Sequence, residues 1–306
     1  MYSSRIRFGP PLLLVKDIER ELRFYGGYFG LQPIKKYREH NGDLIYDLGF
    51  RHSASLSNNS PLISLQYSPN ATIPSPRSAG LYHFAILVPD RGDLATTYLA
   101  LKGSGVRFDG FANHLVTESL YLRDPENNGI EIYRDRPRED CSRDSKGSLV
   151  LDNLPLDLQS LLSEPNRGES NNKIPFPKGG IIGHIHLKVT NLMRSFGFYH
   201  EKLRLDITAD MTSIGAAFFS YEGYHHHVAI NALYSFDGDT HSEGVAGLKN
   251  FTIIVPNTSF YNSIKSNIIM NDLSTGKQMA QNRQSKMFRI MDPDGIHIVI
   301  RTNVTM

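Results

Sequence analysis

The sequence predicts an α+β fold of four βαβββ units arranged as two pairs, and three observations carry that reading. Four segments open alike, each an apolar strand-like run closed by a polar turn and followed by a helical stretch: "PPLLLVKDIERELRFY", "LYHFAILVPDRGDLATTYL", "GHIHLKVTNLMRSFGFYH" and "LKNFTIIVPNTSFYNSI". The second and fourth units also end alike, on "YLRDPENNGIEIY" and "FRIMDPDGIHIVI", where an Asp-Pro turn with Asn or Gly joins two strands. Between residues 138 and 178 the composition shifts to Ser, Asn, Pro and charge, which separates the two pairs.

Aligned on Val15, Val88, Val189 and Val255, each opening places a strand end before a turn and a helix start. In the first unit Asp17 is placed as the N-cap of "IERELRFY", where a short carboxylate can accept from the free N–H groups of the first turn. In the second unit "HFAILV" alternates: Phe84, Ile86 and Val88 form the packed face, and His83, Ala85 and Leu87 share the other. In its closing strand Ile130 and Ile132 point one way, Glu131 and Tyr133 the other. The 138–178 stretch reads as an interdomain linker with one amphipathic docking piece, "LPLDLQSLL", so the expected division is a domain of 1–137, the linker, and a domain of 179–306. In the third unit Ile185, Leu187 and Val189 are the apolar set, with His184, His186 and Lys188 opposite, and Asn191 is the N-cap of "LMRSFGFY". Its last strand is "GYHHHVAIN", where alternation groups His226 with Val228 and Ile230, and puts His225 and His227 on the polar face with Ala229 and Asn231.

Composition narrows the function. The 306 residues carry a formal net charge of only +2 and 21% charged residues, with no basic tail, which argues against a nucleic-acid partner. No apolar run approaches the roughly 18 residues that span a bilayer, and "LLLV" is too short for a secretory core, so a cytoplasmic protein without a membrane partner is expected. The single cysteine, Cys141, excludes an internal disulfide framework and a Cys-based zinc site. Chemistry must come from His, Asp, Glu and Tyr. Open sheet edges invite pairing into a homo-oligomer.

His83 and His184 occupy the same position of the first strand in units two and three, and Glu131 begins the last strand of unit two. A lone histidine at a strand start, or a lone glutamate, is usually an ordinary polar residue. Matching ligand types at equivalent positions of one face carry more weight. If the polar faces curl around a cleft, the three side chains converge as two imidazoles and one carboxylate. That set typically holds a catalytic Fe(II), with Zn or Ni as the alternative occupants.

The segments "GLYHFAILVP", "HLVTESLYLRDPENNGIEIYRDRP", "IGHIHLKV" and "GYHHHVAIN" resemble the two-domain catechol 2,3-dioxygenases of the bacterial CatE type. These belong to the vicinal-oxygen-chelate superfamily, with glyoxalase I and bleomycin-resistance proteins. The resemblance covers nearly the whole chain. It implies two vicinal-oxygen-chelate domains with curled mixed sheets around a metal cleft, and Fe(II), or else Mn, Zn or Ni, as cofactor. It implies a small-molecule catechol and O2 as partners, with ring cleavage to a hydroxymuconic semialdehyde-type product. In better-known members the ligands come from the third and fourth units. Here unit four has Asn250 at the histidine position and His297 at the glutamate position, and unit one has Pro10. The metal is therefore assigned to His83, Glu131 and His184, which requires units two and three to pair across the domain boundary.

The resemblance further implies an acid–base histidine from the last strand of unit three. The facing argument selects His227 or His225, with His227 favoured. Tyr121 and His114 become hydrogen-bond partners of the substrate oxygens. Rival expectations are a glyoxalase-like isomerase using Zn or Ni, and a metal-free small-molecule binding protein of the same fold.

Overall fold

The computed structural model describes residues 6–39, 42–50, 60–145, 147–164, 179–273 and 287–302. Unit one contains β1 (Arg7–Phe8), β2 (Leu12–Val15), α1 (Ile18–Phe29), β3 (Gln32–Arg38), β4 (Leu44–Gly49) and β5 (Ile63–Tyr67). Unit two contains β6 (Gly80–Leu87), α2 (Arg91–Gly103), β7 (Phe108–Asn113), β8 (Thr117–Arg123) and β9 (Gly129–Asp135). The linker supplies β10 (Leu154–Pro155) and α3 (Leu158–Leu162). Unit three follows with β11 (Ile181–Lys188), α4 (Leu192–Gly197), β12 (Asp206–Met211), β13 (Ala216–Ser220) and β14 (Val228–Asn231). Unit four closes the chain with β15 (Gly247–Val255), α5 (Thr258–Leu273), β16 (Met287–Met291) and β17 (His297–Thr302). Among the described residues no helix is long and apolar enough to cross a membrane.

These strands form two curled mixed sheets. One has nine strands in the order β10-β7-β8-β9-β6-β11-β14-β13-β12, and the other eight, in the order β16-β17-β15-β2-β5-β4-β3 with β1 on β15. Units two and three share the first sheet, and units one and four the second. Each sheet therefore draws one unit from either side of the 138–178 stretch. The seam of the first is the antiparallel β6–β11 pair and that of the second the antiparallel β15–β2 pair.

Alternation explains how the sheets bury one face. Phe84, Ile86, Ile130, Ile132, Ile185 and Leu187 are all 1% exposed or less and join a single hydrophobic cluster that runs through both sheets. Full burial of each such side chain contributes about 1.5–3 kcal/mol. The helices start as the sequence indicates. Asp17 accepts from Arg20 N–H and Asn191 from Arg194 N–H, so each side chain satisfies one free amide of the first turn. The linker docks on unit two. Leu154 and Pro155 pair with β7, Leu161 is fully buried, and Arg91 of α2 donates to Glu164 and to the Ser160 carbonyl.

Two equivalent junctions tie the sheets together. Tyr25 of α1 donates to Asp124 in the Asp-Pro turn of unit two at 2.9 Å, and Tyr199, just beyond α4, donates to Asp292 in the turn of unit four at 2.9 Å. Each aspartate also closes its own turn, through Asn128 N–H at 2.8 Å in one case and Ile296 N–H at 2.8 Å in the other. The Asp-Pro turn is thus a socket for the helix of the preceding unit as well as a link between strands.

Candidate metal centre

The site is built on three adjacent strands, β9, β6 and β11. Ala85 of β6 lies beside Glu131 in the parallel ladder and beside His184 in the antiparallel one. His83 stands two residues earlier on β6, hence on the same face. Neighbouring strands are about 4.8 Å apart, so a glutamate and a histidine flanking one alanine can bend over it and meet. They do. Oε2 of Glu131 lies 2.9 Å from His83 Nε2 and 3.0 Å from His184 Nε2.

Two glycines permit this approach. A Cβ on Gly129, at the head of β9, would sit 2.0 Å from the Tyr82 carbonyl oxygen and 3.0 Å from His83 Cβ. A Cβ on Gly183, in the bulge before His184, would sit 1.9 Å from the Tyr133 hydroxyl. Any larger residue at either place would push apart the strands that carry the ligands.

Burial and charge favour a cation. His83, Glu131 and His184 are 6%, 2% and 1% exposed. Burial alone would raise the Glu131 carboxyl, but the adjacent His184 and His83 outweigh it and hold the group well below the usual carboxylate range. Burial pushes His184 down to about 4, against the opposing pull of Glu131. The pair is thus an ionised carboxylate and a neutral imidazole, the states that bind a metal. His83 Nε2, although 2.9 Å from Oε2, has no hydrogen-bond geometry to it and no other partner. Among the described residues, these three are the one group of His, Cys, Asp or Glu donors able to hold a metal ion, all within 4.8 Å of one another. Two imidazole nitrogens crowding one carboxylate oxygen fit a divalent cation between them.

His83 and Glu131 line a cavity of about 570 Å³, and His184 lies just behind its wall, against His226. Its walls include Phe111, Val116, Met211, Ile214, Phe218 and Leu233. Tyr121 and His114 both line it. The Tyr121 hydroxyl lies 2.7 Å from His114 Nε2, and His114 Nδ1 lies 2.9 Å from the Asp152 carbonyl oxygen. A carbonyl oxygen can only accept, so Nδ1 carries the hydrogen and a neutral His114 accepts from Tyr121 through Nε2. His186 also lines the cavity, with Nε2 2.9 Å from the Asn231 amide.

The histidine run departs from the sequence reading. His227 does not line the cavity. Its Nδ1 accepts from Tyr221 N–H at 3.2 Å and lies 3.1 Å from Ser220 Oγ, and its ring packs against Tyr224 and Phe8. His225 is likewise outside the cavity wall, with Nε2 2.9 Å from Asp135. His226, which alternation turned away, is the one lining the cavity, its ring centroid 4.1 Å from that of His184. The physical reason is that the strand begins only at Val228. Glu222 and Gly223 have φ of 57° and 69°, and the chain bends at His225 and His227, so the two-residue alternation does not extend back through the run. The turn-forming "EG" dipeptide was the available signal. His186 was readable as well, since it shares a strand face with His184.

Known proteins point the same way. Residues 7–132 match the profile of the Glyoxalase/Bleomycin resistance protein/Dioxygenase superfamily. The chain is 34% identical over 282 residues to the catechol-2,3-dioxygenase of Bacillus subtilis (strain 168), covering 92% of each chain. A 61-residue stretch, 20% of this chain and 32% of the other, is 41% identical to biphenyl-2,3-diol 1,2-dioxygenase 3 of Rhodococcus globerulus. Glyoxalase I from Zea mays shares the fold at a TM-score of 0.56 and 17% identity, over 97% of this chain and 92% of that one. With units two and three pairing to close one set of metal donors, and a near full-length relative at this identity, the chain belongs to the Glyoxalase/Bleomycin resistance protein/Dioxygenase superfamily.

Proposed function

We propose that the protein is an Fe(II)-dependent extradiol dioxygenase that inserts both atoms of O2 into a catechol and yields a hydroxymuconic semialdehyde-type product. The observation that carries this reading is the buried His83, Glu131 and His184 set, two of whose members line a cavity about 570 Å³ in volume. The 34% identity to a catechol-2,3-dioxygenase over most of the chain supports it. Two histidines and one carboxylate leave the remaining positions of a cation open for two reactants. His83, Glu131 and His184 would hold ferrous iron, which would bring a catechol and dioxygen together and pass electrons between them.

The chain supplies the rest. Phe218, Met211 and Leu233 hold the aromatic ring and exclude water. His226, kept neutral chiefly by burial and also by the neighbouring His184 and His225, takes a proton from a catechol hydroxyl and returns it as the ring opens. Tyr121, donating to His114, keeps its oxygen lone pairs turned to the second hydroxyl. Both oxygen atoms stay in the product while one ring carbon–carbon bond breaks, so no other oxidant is required.

The test is direct. Protein purified without air, loaded with Fe(II) and given catechols and oxygen should form a yellow ring-opened product. Absence of product from a panel of substituted catechols, with iron bound stoichiometrically, would overturn the assignment.

A further inference from the structure

Strand β9 carries more than the glutamate ligand. Glu131, Tyr133 and Asp135 alternate onto one face, and Asp135 anchors a chain of hydrogen bonds that ends at His226. The Tyr224 hydroxyl donates to Asp135 Oδ1 at 3.0 Å and lies 2.8 Å from the Tyr133 hydroxyl. His225 Nε2 lies 2.9 Å from the same Oδ1, and His225 Nδ1 lies 2.8 Å from His226 Nδ1. Asp135 itself is 34% exposed, but Tyr133, Tyr224, His225 and His226 are 0%, 9%, 7% and 9% exposed, so water does not compete along the path beyond its anchor.

Donor and acceptor roles follow in order from the anchor. A carboxylate only accepts, so His225 Nε2 carries a hydrogen. In a neutral ring His225 Nδ1 then holds a lone pair. The short Nδ1–Nδ1 contact needs one hydrogen between the rings, and it must come from His226. His226 is left with its hydrogen on Nδ1 and a lone pair on Nε2.

We propose that Asp135 and His225 are positioning residues that hold His226 in its Nδ1–H tautomer and orientation, so that Nε2 is the nitrogen presented to a molecule in the cavity. Its catalytic consequence rests on the dioxygenase reading, but the tautomer itself does not. The role given to His225 is thus to aim its neighbour, while Asp135 sets the direction of the whole chain.

The experiment uses the full-length protein with 15N-labelled histidine, loaded with Zn(II) as a diamagnetic ion. Long-range 1H–15N correlation distinguishes a protonated from an unprotonated ring nitrogen, and His226→Gln assigns the signals. His226 should show a protonated Nδ1 and an unprotonated Nε2. Asp135→Asn, whose amide can donate to His225 Nε2, should reverse the chain and put the hydrogen on His226 Nε2. Asp135→Glu should restore the first pattern. With Fe(II) and a cleaved catechol, Asp135→Asn should lower kcat by roughly 10²-fold or more, with KM and iron content little changed. If Asp135→Asn does not fold, His225→Gln, whose oxygen can still accept from His226, should keep the tautomer that His225→Leu loses.

Protonated Nε2 in the wild type, or an unchanged tautomer in Asp135→Asn or His225→Leu, overturns the proposal. Tautomer reversal without any catechol cleavage would support the positioning role and sink the dioxygenase reading alone. Catechol cleavage with an unchanged tautomer would do the opposite.

Discussion

The two sheets are built alike, yet among the described residues one gathers metal donors and the other does not. In the first, Ala85 is flanked by Glu131 and His184, with His83 two residues away. In the second, Thr252 stands at the corresponding place of β15, with Val299 beside it in the parallel ladder and Asn250 two residues away. The Gly9–Pro10 segment takes the place of His184, and the Gly9 N–H donates to the Thr252 carbonyl at 3.0 Å. Sequence alignment put His297 at the glutamate position, but the register pairs His297 with Asn250 and Val299 with Thr252. The two-residue difference comes from matching the Gly-Ile pairs, because Gly129 lies five residues after Asp124 whereas Gly295 lies three after Asp292, in turns of equal length. In unit two Asn128 closes the ring that Ile296 closes in unit four, so Glu131 corresponds to Val299. The same scaffold therefore carries a set of metal donors or not according to a few side chains on three strands.

The junctions differ in the same manner. Ser195 lies four residues before Tyr199 and donates to Asp294 at 3.0 Å. The residue four before Tyr25 is Glu21, fully buried with neither carboxylate oxygen partnered. Burial first, then the Asp124 and Glu126 charges, push its pKa up to about 9. One junction is satisfied, and the other holds a carboxyl that must stay protonated.

The sharpest way to break the contrast between the sheets is to remove a ligand. His83→Ala or Glu131→Ala should leave protein that retains no stoichiometric metal after gel filtration, as read by elemental analysis, with loss of all turnover. Next in size, His226→Ala should retain iron and lose roughly 10²–10⁴-fold in kcat, whereas His227→Ala should stay within a few-fold of wild type. Comparable losses in both variants would mean that the bend before β14 does not separate their roles. Ala85→Thr copies the floor of the second sheet into the first, and the extra atoms between Glu131 and His184 should weaken metal binding by about 10-fold in a competition titration.

The smallest effect falls on the junction, and on stability rather than activity. Glu21 has a folded pKa of about 9, raised from its ordinary value of 4.5. Its contribution is therefore fully present below about pH 4.5 and is lost progressively as pH rises to about 9. Glu21→Gln should flatten that decline and raise stability near pH 8 by a few kcal/mol, since a tenfold change in proton affinity on folding corresponds to about 1.4 kcal/mol. Urea melts of both proteins between pH 5 and 9 measure the difference, and parallel pH profiles would show that Glu21 finds a partner on folding.

Local rules decide what is local. The repeat, the strand faces around His83, Glu131 and His184, and the caps at Asp17 and Asn191 all follow from alternation and from unsatisfied helix amides, so they were legible in the sequence. The need for units two and three to pair was legible too, because their ligand types were complementary while Asn250 and Pro10 were not ligands. Three features lay beyond it. The bend ahead of Val228 puts His226 rather than His227 at the cavity wall, because alternation holds only where a ladder keeps the chain extended. The Tyr25–Asp124 and Tyr199–Asp292 sockets bring together residues 99 and 93 positions apart. The path from Asp135 to His226 likewise depends on which strands lie side by side. Residue types and strand faces are properties of short segments and can be read from them; partners across strands and the direction of a bend are settled only when distant segments pack.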